Sequence, residues 1–257
     1  MAGAAFFDLD KTVIAKSSTL AFSKPLFQAG LLTRASLLKA ATAQAYFQMF
    51  GADHDQLDRV RQELGELTRG WKQDEILGLV EEAVEEIVAP LVYAEALALI
   101  AEHSRVGRQV VVVSSSPLEI VQPLCHYLGL TEIIATLPEV DEEGRYTGGI
   151  DFYAYGPGKA EAIREWAARH DVSLAESFAY SDSATDLPML ETVGHPVAVN
   201  PDRDLRAIAE ERDWQILEFR REVEVRSTPR PVPVISGAVA GGLAAALAVW
   251  AVRRARR

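Results

Sequence analysis

Residues 110–113 are four valines in a row, and the run stops at three serines, Ser114, Ser115 and Ser116. A short β-branched run with no polar alternation suits a strand buried on both faces, as in a parallel sheet covered on each side by helices. Three more runs repeat the pattern. Ala4–Phe7 ends at Asp8, residues 178–180 end at Ser181 and Asp182, and residues 196–199 end at Asn200 and Pro201. Helical stretches over residues 117–127, 158–170 and 202–211 alternate with them. The alternation predicts a doubly wound, mainly parallel α/β sheet, in which ligands collect beyond the carboxyl ends of the strands. Acids and hydroxyls stand at those ends.

The interval 17–90 breaks the alternation. It carries long amphipathic patterns, LLTRASLLKAATAQAYFQMF and DEILGLVEEAVEEIVAP, and no good strand, so it reads as an all-helical insertion placed to cover the strand ends. EVDEEGRYTGGID has turn residues between short runs and predicts a β-hairpin. With 257 residues, 49% of them hydrophobic, the chain can bury a core. Acidic side chains outnumber basic ones 37 to 26, a balance that disfavours nucleic acid as a partner. The five histidines have no metal-ligand spacing, which argues against zinc, and the single cysteine, Cys125, allows no internal disulfide.

Four elements carry chemistry. In FFDLDKT, Asp8 and Asp10 follow a buried strand two positions apart, where both can turn toward one point and invite a hard cation such as magnesium; alone, such a pair could equally cap a turn. In VVVVSSSP, Ser114 and Ser115 bring a hydroxyl and free N–H groups to a helix start, which suits an anion or a simple N-cap. Lys159, in YGPGKAEAI, opens a helix where the dipole disfavours it, although surface lysines are common. In AYSDSATDLPML, Asp182 and Asp186 stand four apart, and as like charges they call for a cation or Lys159 between them. Their order, each at a strand end, is what makes them informative together.

In that order the four elements resemble the motifs of the haloacid dehalogenase superfamily across residues 4–201, most closely its phosphoserine-phosphatase-like branch, whose helical cap lies between the first and second motifs. Asp8, Asp10 and Thr12 match the first motif, Ser114 the second, Lys159 the third, and Asp182 with Asp186 the fourth. The resemblance implies a Rossmann-like core over residues 1–16 and 91–219 and a cap over 17–90. It implies a phosphatase in which Asp8 is the nucleophile, forming an aspartyl-phosphate, and Asp10 the general acid and base. Ser114, Ser115 and Lys159 would then hold the phosphoryl group of a small phosphomonoester, and Mg2+ would draw on Asp8, Asp10, Asp182 and Asp186. A phosphotransferase or mutase of the same fold, or a membrane-tethered binding module without turnover, are the alternatives. Three departures bear on substrate. KTVIAKSSTLAF has no acid where phosphoserine enzymes meet the substrate amine, and Ser181 and Thr185 replace the usual glycine and the frequent asparagine.

The N-terminus lacks a basic region ahead of its apolar run, so the catalytic body is expected in the cytoplasm. Residues 220–231 read as a linker. Residues 232–252 carry no charge and are followed by RRARR, residues 253–257, a length and flank that predict a transmembrane anchor. Gly237 and Gly241 within it have the small-xxx-small spacing that could pair two such helices into a homodimer.

Overall fold

The computed structural model describes residues 2–33 and 65–222. They form a seven-stranded sheet in the order β4-β3-β2-β1-β5-β6-β7. The strands are β1 (Ala4–Phe7), β2 (Gln109–Pro117), β3 (Glu132–Val140), β4 (Tyr146–Phe152), β5 (Phe178–Ser181), β6 (His195–Val199) and β7 (Gln215–Leu217). Every pairing is parallel except β3 with β4. The chain leaves β1 for β2 on one side and later returns to β5 on the other, so β1 is the strand at which the winding direction reverses.

Alternation along the strands divides the core in two. Phe7, Val110, Val112, Tyr180 and Val197 face one way, against α4 (Ala94–Arg105) and α5 (Leu118–Tyr127). Phe6, Val111, Val113, Ala179 and Ala198 face the other, against α6 (Pro157–Arg169), α7 (Leu187–Leu190) and α8 (Arg203–Glu211). Helices thus cover both faces, which is why the strands are apolar throughout rather than alternating. Burying each such Phe, Ile or Leu side chain stabilises by about 1.5–3 kcal/mol.

The described part of the interval between β1 and α4 is helical. It includes α1 (Ser18–Ala21), α2 (Ser23–Gln28) and α3 (Gln73–Val88). In α3, Ile76, Val80, Val84 and Val88 are buried at a spacing of four, while Glu81, Glu82, Glu85 and Glu86 are exposed, the pattern of a helix with one apolar stripe. Most of LLTRASLLKAATAQAYFQMF lies outside the described residues. The two ends of the interval run side by side: Ala15 N–H donates to Leu91 O at 2.7 Å and Tyr93 N–H to Val13 O at 3.0 Å.

The expected hairpin is the β3–β4 pair, closed by a turn in which Gly144 N–H donates to Asp141 O. The chain just before α3 adds to it, with Gly70 N–H on Tyr146 O and Tyr146 N–H on Trp71 O. Two expectations need correction. The second strand does not stop at Val113 but runs to Pro117, so its helix begins at Leu118. β3 is also more than half of a hairpin, because its first half pairs parallel with β2 before its second half turns to β4. Its short Ile133-Ile134 run is too brief to stand out from the surrounding helical pattern.

Residues 220–222, read as the start of a linker, lie against the core: Ala94 N–H donates to Arg221 O, and Arg221 pairs with Glu95. Among the described residues no helix is long and apolar enough to cross a membrane, and the 232–252 segment lies outside them.

Candidate active site

Beyond β1 the chain turns at once. Leu9 O accepts the N–H groups of Val13 and Ile14, and Lys11 takes a left-handed φ of 61°. Asp8, at the strand end, is fixed by its own N–H on Tyr180 O of β5, 2.9 Å away. Across the site, α6 begins abruptly. Gly156 has φ 50°, Pro157 takes the first turn, and a Cβ at Gly158 would lie 2.3 Å from Tyr153 O. Only glycine lets the helix start this close to the preceding loop, and the next residue is Lys159.

The Lys159 ammonium donates to Asp8 Oδ1 at 2.7 Å and to Asp186 Oδ2 at 2.8 Å. All three side chains are buried. Burial by itself would lower the Lys159 pKa, but the Asp186 and Asp8 carboxylates together hold it above the ordinary lysine value. Asp8 shows the opposite balance. Burial pushes its carboxyl well above the usual range, Lys159 works against that, and the charges of Asp186 and Asp182 add to it. Thr12 Oγ1 donates to the second Asp8 oxygen at 3.3 Å. Ser181 Oγ donates to Asp186 Oδ2 at 2.7 Å, so the serine found in place of glycine gives that acid a second donor.

Asp10 has different company. Its Oδ1 accepts the Ser18 N–H at 2.8 Å and its Oδ2 the Ser116 hydroxyl at 3.3 Å. Burial raises its pKa, and the Ser18 N–H is the largest influence pulling it back. Asp182 does not share Lys159 at bonding distance with Asp186. Its nearest cation is the half-exposed Lys11 at 3.7 Å, and burial pushes its carboxyl up to about 7, with Lys11 opposing and Asp186 and Asp202 reinforcing. Ser114 is buried, with its Oγ accepting Ser116 N–H at 3.2 Å, while Ser115 is exposed and its carbonyl accepts the Thr136 hydroxyl.

Asp8, Lys159 and Asp186 are therefore joined directly, with Asp10, Ser114 and Asp182 on the flanking loops. Among the described residues no group of three or more His, Cys, Asp or Glu side chains forms an ion cage. Sequence reasoning did not single out Ser18, Ser116 or Lys11 as partners of the acids, nor Thr19 as a partner of Ser116. The run SST after Lys16 was the available signal, since hydroxyl residues at a helix start seek a backbone or carboxylate partner.

The haloacid dehalogenase-like hydrolase family matches residues 5–191. A probable phosphatase of Mycobacterium tuberculosis (strain H37Rv) is 53% identical over 250 residues, 97% of this chain and 87% of that protein. A phosphoserine phosphatase of the same strain is 34% identical, over 95% of this chain and 80% of its own length. A crystal structure from Bordetella pertussis Tohama I, of a protein of unknown function, superposes with a TM-score of 0.74 at 26% identity, covering 84% of this chain and 98% of that one. This chain belongs to the haloacid dehalogenase-like hydrolase family, in its phosphoserine-phosphatase-like branch. Within it, the chain is a phosphatase.

Proposed function

We propose that the chain hydrolyses a small phosphomonoester in two steps through an aspartyl-phosphate on Asp8. The observation that carries this reading is the Lys159 ammonium bridging Asp8 and Asp186 at the end of β1, with Asp10 held apart from that bridge by its own donors. In the first step an Asp8 carboxylate oxygen attacks phosphorus and the ester P–O bond breaks, while Asp10 gives its proton to the leaving oxygen. In the second, water attacks phosphorus, Asp10 takes a proton from it, and the Asp8–phosphorus bond breaks to free phosphate. Lys159, Ser114 and the Ser115 N–H would hold the phosphoryl oxygens while their charge redistributes.

Magnesium fits the residues present. The donors are hard oxygens, and Asp182 is a buried carboxylate whose counter-charge stands 3.7 Å away. Asp8, Asp182 and the Asp10 carbonyl would hold the ion, with Asp186 steadying Lys159. Bound there, Mg2+ would offset charge on the phosphoryl oxygens.

The segment KTVIAKSSTLAF places serines and a threonine, not an acid, at the start of the insertion. That supports a substrate other than phosphoserine, or one whose amine is met elsewhere. Phosphate release from a panel of amino-acid, sugar and nucleotide phosphates with Mg2+ tests the reading. The expected result is turnover of at least one ester by the wild type and a loss of more than about 10⁴-fold in Asp8→Asn. Equal turnover by wild type and Asp8→Asn would refute it.

A further inference from the structure

Ser116 lies at the end of β2, buried, two residues past Ser114. Its N–H is engaged by Ser114 Oγ, and its hydroxyl meets three partners: Asp10 Oδ2 at 3.3 Å, Ser18 Oγ at 2.9 Å and Thr19 Oγ1 at 3.2 Å. A hydroxyl has one hydrogen and two lone pairs. If that hydrogen points at the Asp10 carboxylate, the remaining contacts are satisfied only when Ser18 and Thr19 both donate to Ser116. All three hydroxyl dipoles then run toward Asp10. Should Asp10 carry a proton, Ser116 can rotate to accept it and donate outward instead, so the same three residues serve either form.

These groups come from three parts of the chain. Asp10 follows β1, Ser116 ends β2, and Ser18 and Thr19 begin α1, the first helix of the insertion. Ser18 contributes twice, since its N–H also donates to Asp10 Oδ1. The Ser116 contact to Asp10, at 3.3 Å, is longer than the 2.7 Å that Ser181 makes to Asp186, and so the looser of the two.

We propose that Ser116 is a positioning residue that aims Asp10 at the leaving oxygen and, through Ser18 and Thr19, makes that aim depend on the seating of α1. The inference rests on the phosphatase reading above and on Asp10 as its proton donor. As the acid of the first step, a misaimed Asp10 slows only those esters whose leaving group needs a proton; as the base of the second step it slows all esters alike. An alkoxide needs one, whereas p-nitrophenolate leaves without it.

Ser116→Ala and Ser18→Ala are therefore assayed with Mg2+ on an alkyl phosphate that the wild type hydrolyses and on p-nitrophenyl phosphate. The kcat/KM loss in Ser116→Ala is expected to be about tenfold or more larger for the alkyl ester than for the aryl ester, the worth of one hydrogen bond to a charged group, because kcat/KM covers only the steps through departure of the leaving group and the shared second step does not enter it. Ser18→Ala is expected to show a smaller loss of the same kind, and it carries the test if Ser116→Ala does not fold. Equal kcat/KM losses on the two esters, or no loss on either, would overturn the proposal. A wild type inactive on every ester would instead overturn the phosphatase reading, and that is read before any variant is made.

Discussion

Lys159 is the only cation at bonding distance from Asp8 and Asp186 among the described residues, and all three are buried. Replacing it by methionine keeps the volume and leaves two carboxylates facing each other without a counter-ion. Breaking a buried pair from one side costs about 3–5 kcal/mol. Chemical denaturation at neutral pH should show Lys159→Met less stable by roughly that amount, with the deficit shrinking under acid as the carboxylates protonate. The acid change belongs to the carboxylates. The Lys159 pKa is raised on folding, so the stabilisation tied to its own titration is whole below the ordinary lysine value of 10.5 and is lost only as pH climbs past it. A variant as stable as the wild type at neutral pH would mean the bridge is not the charge lock described. The acids and Lys159 were legible in the sequence because each stands at a strand end in a fixed order. Ser18, Thr19 and Ser116 were not, since Ser18 and Ser116 meet Asp10 and Thr19 meets Ser116, and nothing in the spacing says that α1 begins against β2.

At the scale of elements, α4 is held to the sheet by a buried polar contact as well as by packing. His103, near its end, bonds Tyr180 of β5 through Nε2 at 2.8 Å, lies edge-on to Phe7 of β1, and has Arg108 at 3.3 Å from Nδ1. Burial lowers its pKa below the ordinary 6.5, Arg108 lowers it further, and Glu102 opposes. Below 6.5 the unfolded chain therefore binds more protons than the folded one, so the stability tied to this residue is complete above 6.5 and is lost as pH falls through it. His103→Gln keeps a hydrogen-bonding group and removes the titration. Thermal unfolding at about pH 7 and about pH 5 should show the wild type losing more stability than the variant across that interval; parallel losses would contradict the assignment. The amphipathic stripe of α3 was readable from its spacing of four. The dual pairing of β3 was not, because a strand that leaves one partner for another has no local pattern to mark the change.

For the whole molecule, the reversal of winding at β1 places the carboxyl ends of β1, β2 and β5 together, and the described helices α1–α3 enter the chain between β1 and β2. The doubly wound class followed from runs of apolar residues ending in polar ones, which is a property of strands covered on both faces. The edge strand β7, three residues long and only half-buried, has too little apolar surface to announce itself. The central claim is that phosphorus becomes bonded to Asp8, and trapping that bond tests it most directly. Asp10→Asn should still be phosphorylated by p-nitrophenyl phosphate, whose leaving group needs no proton, but should release phosphate slowly for want of a base. Mass spectrometry of the acid-quenched, Mg2+-supplemented protein should find one phosphoryl group on the peptide containing Asp8, and none when Asp8→Asn is added. Continued hydrolysis by Asp10→Asn with no covalent phosphate at Asp8 would contradict the account.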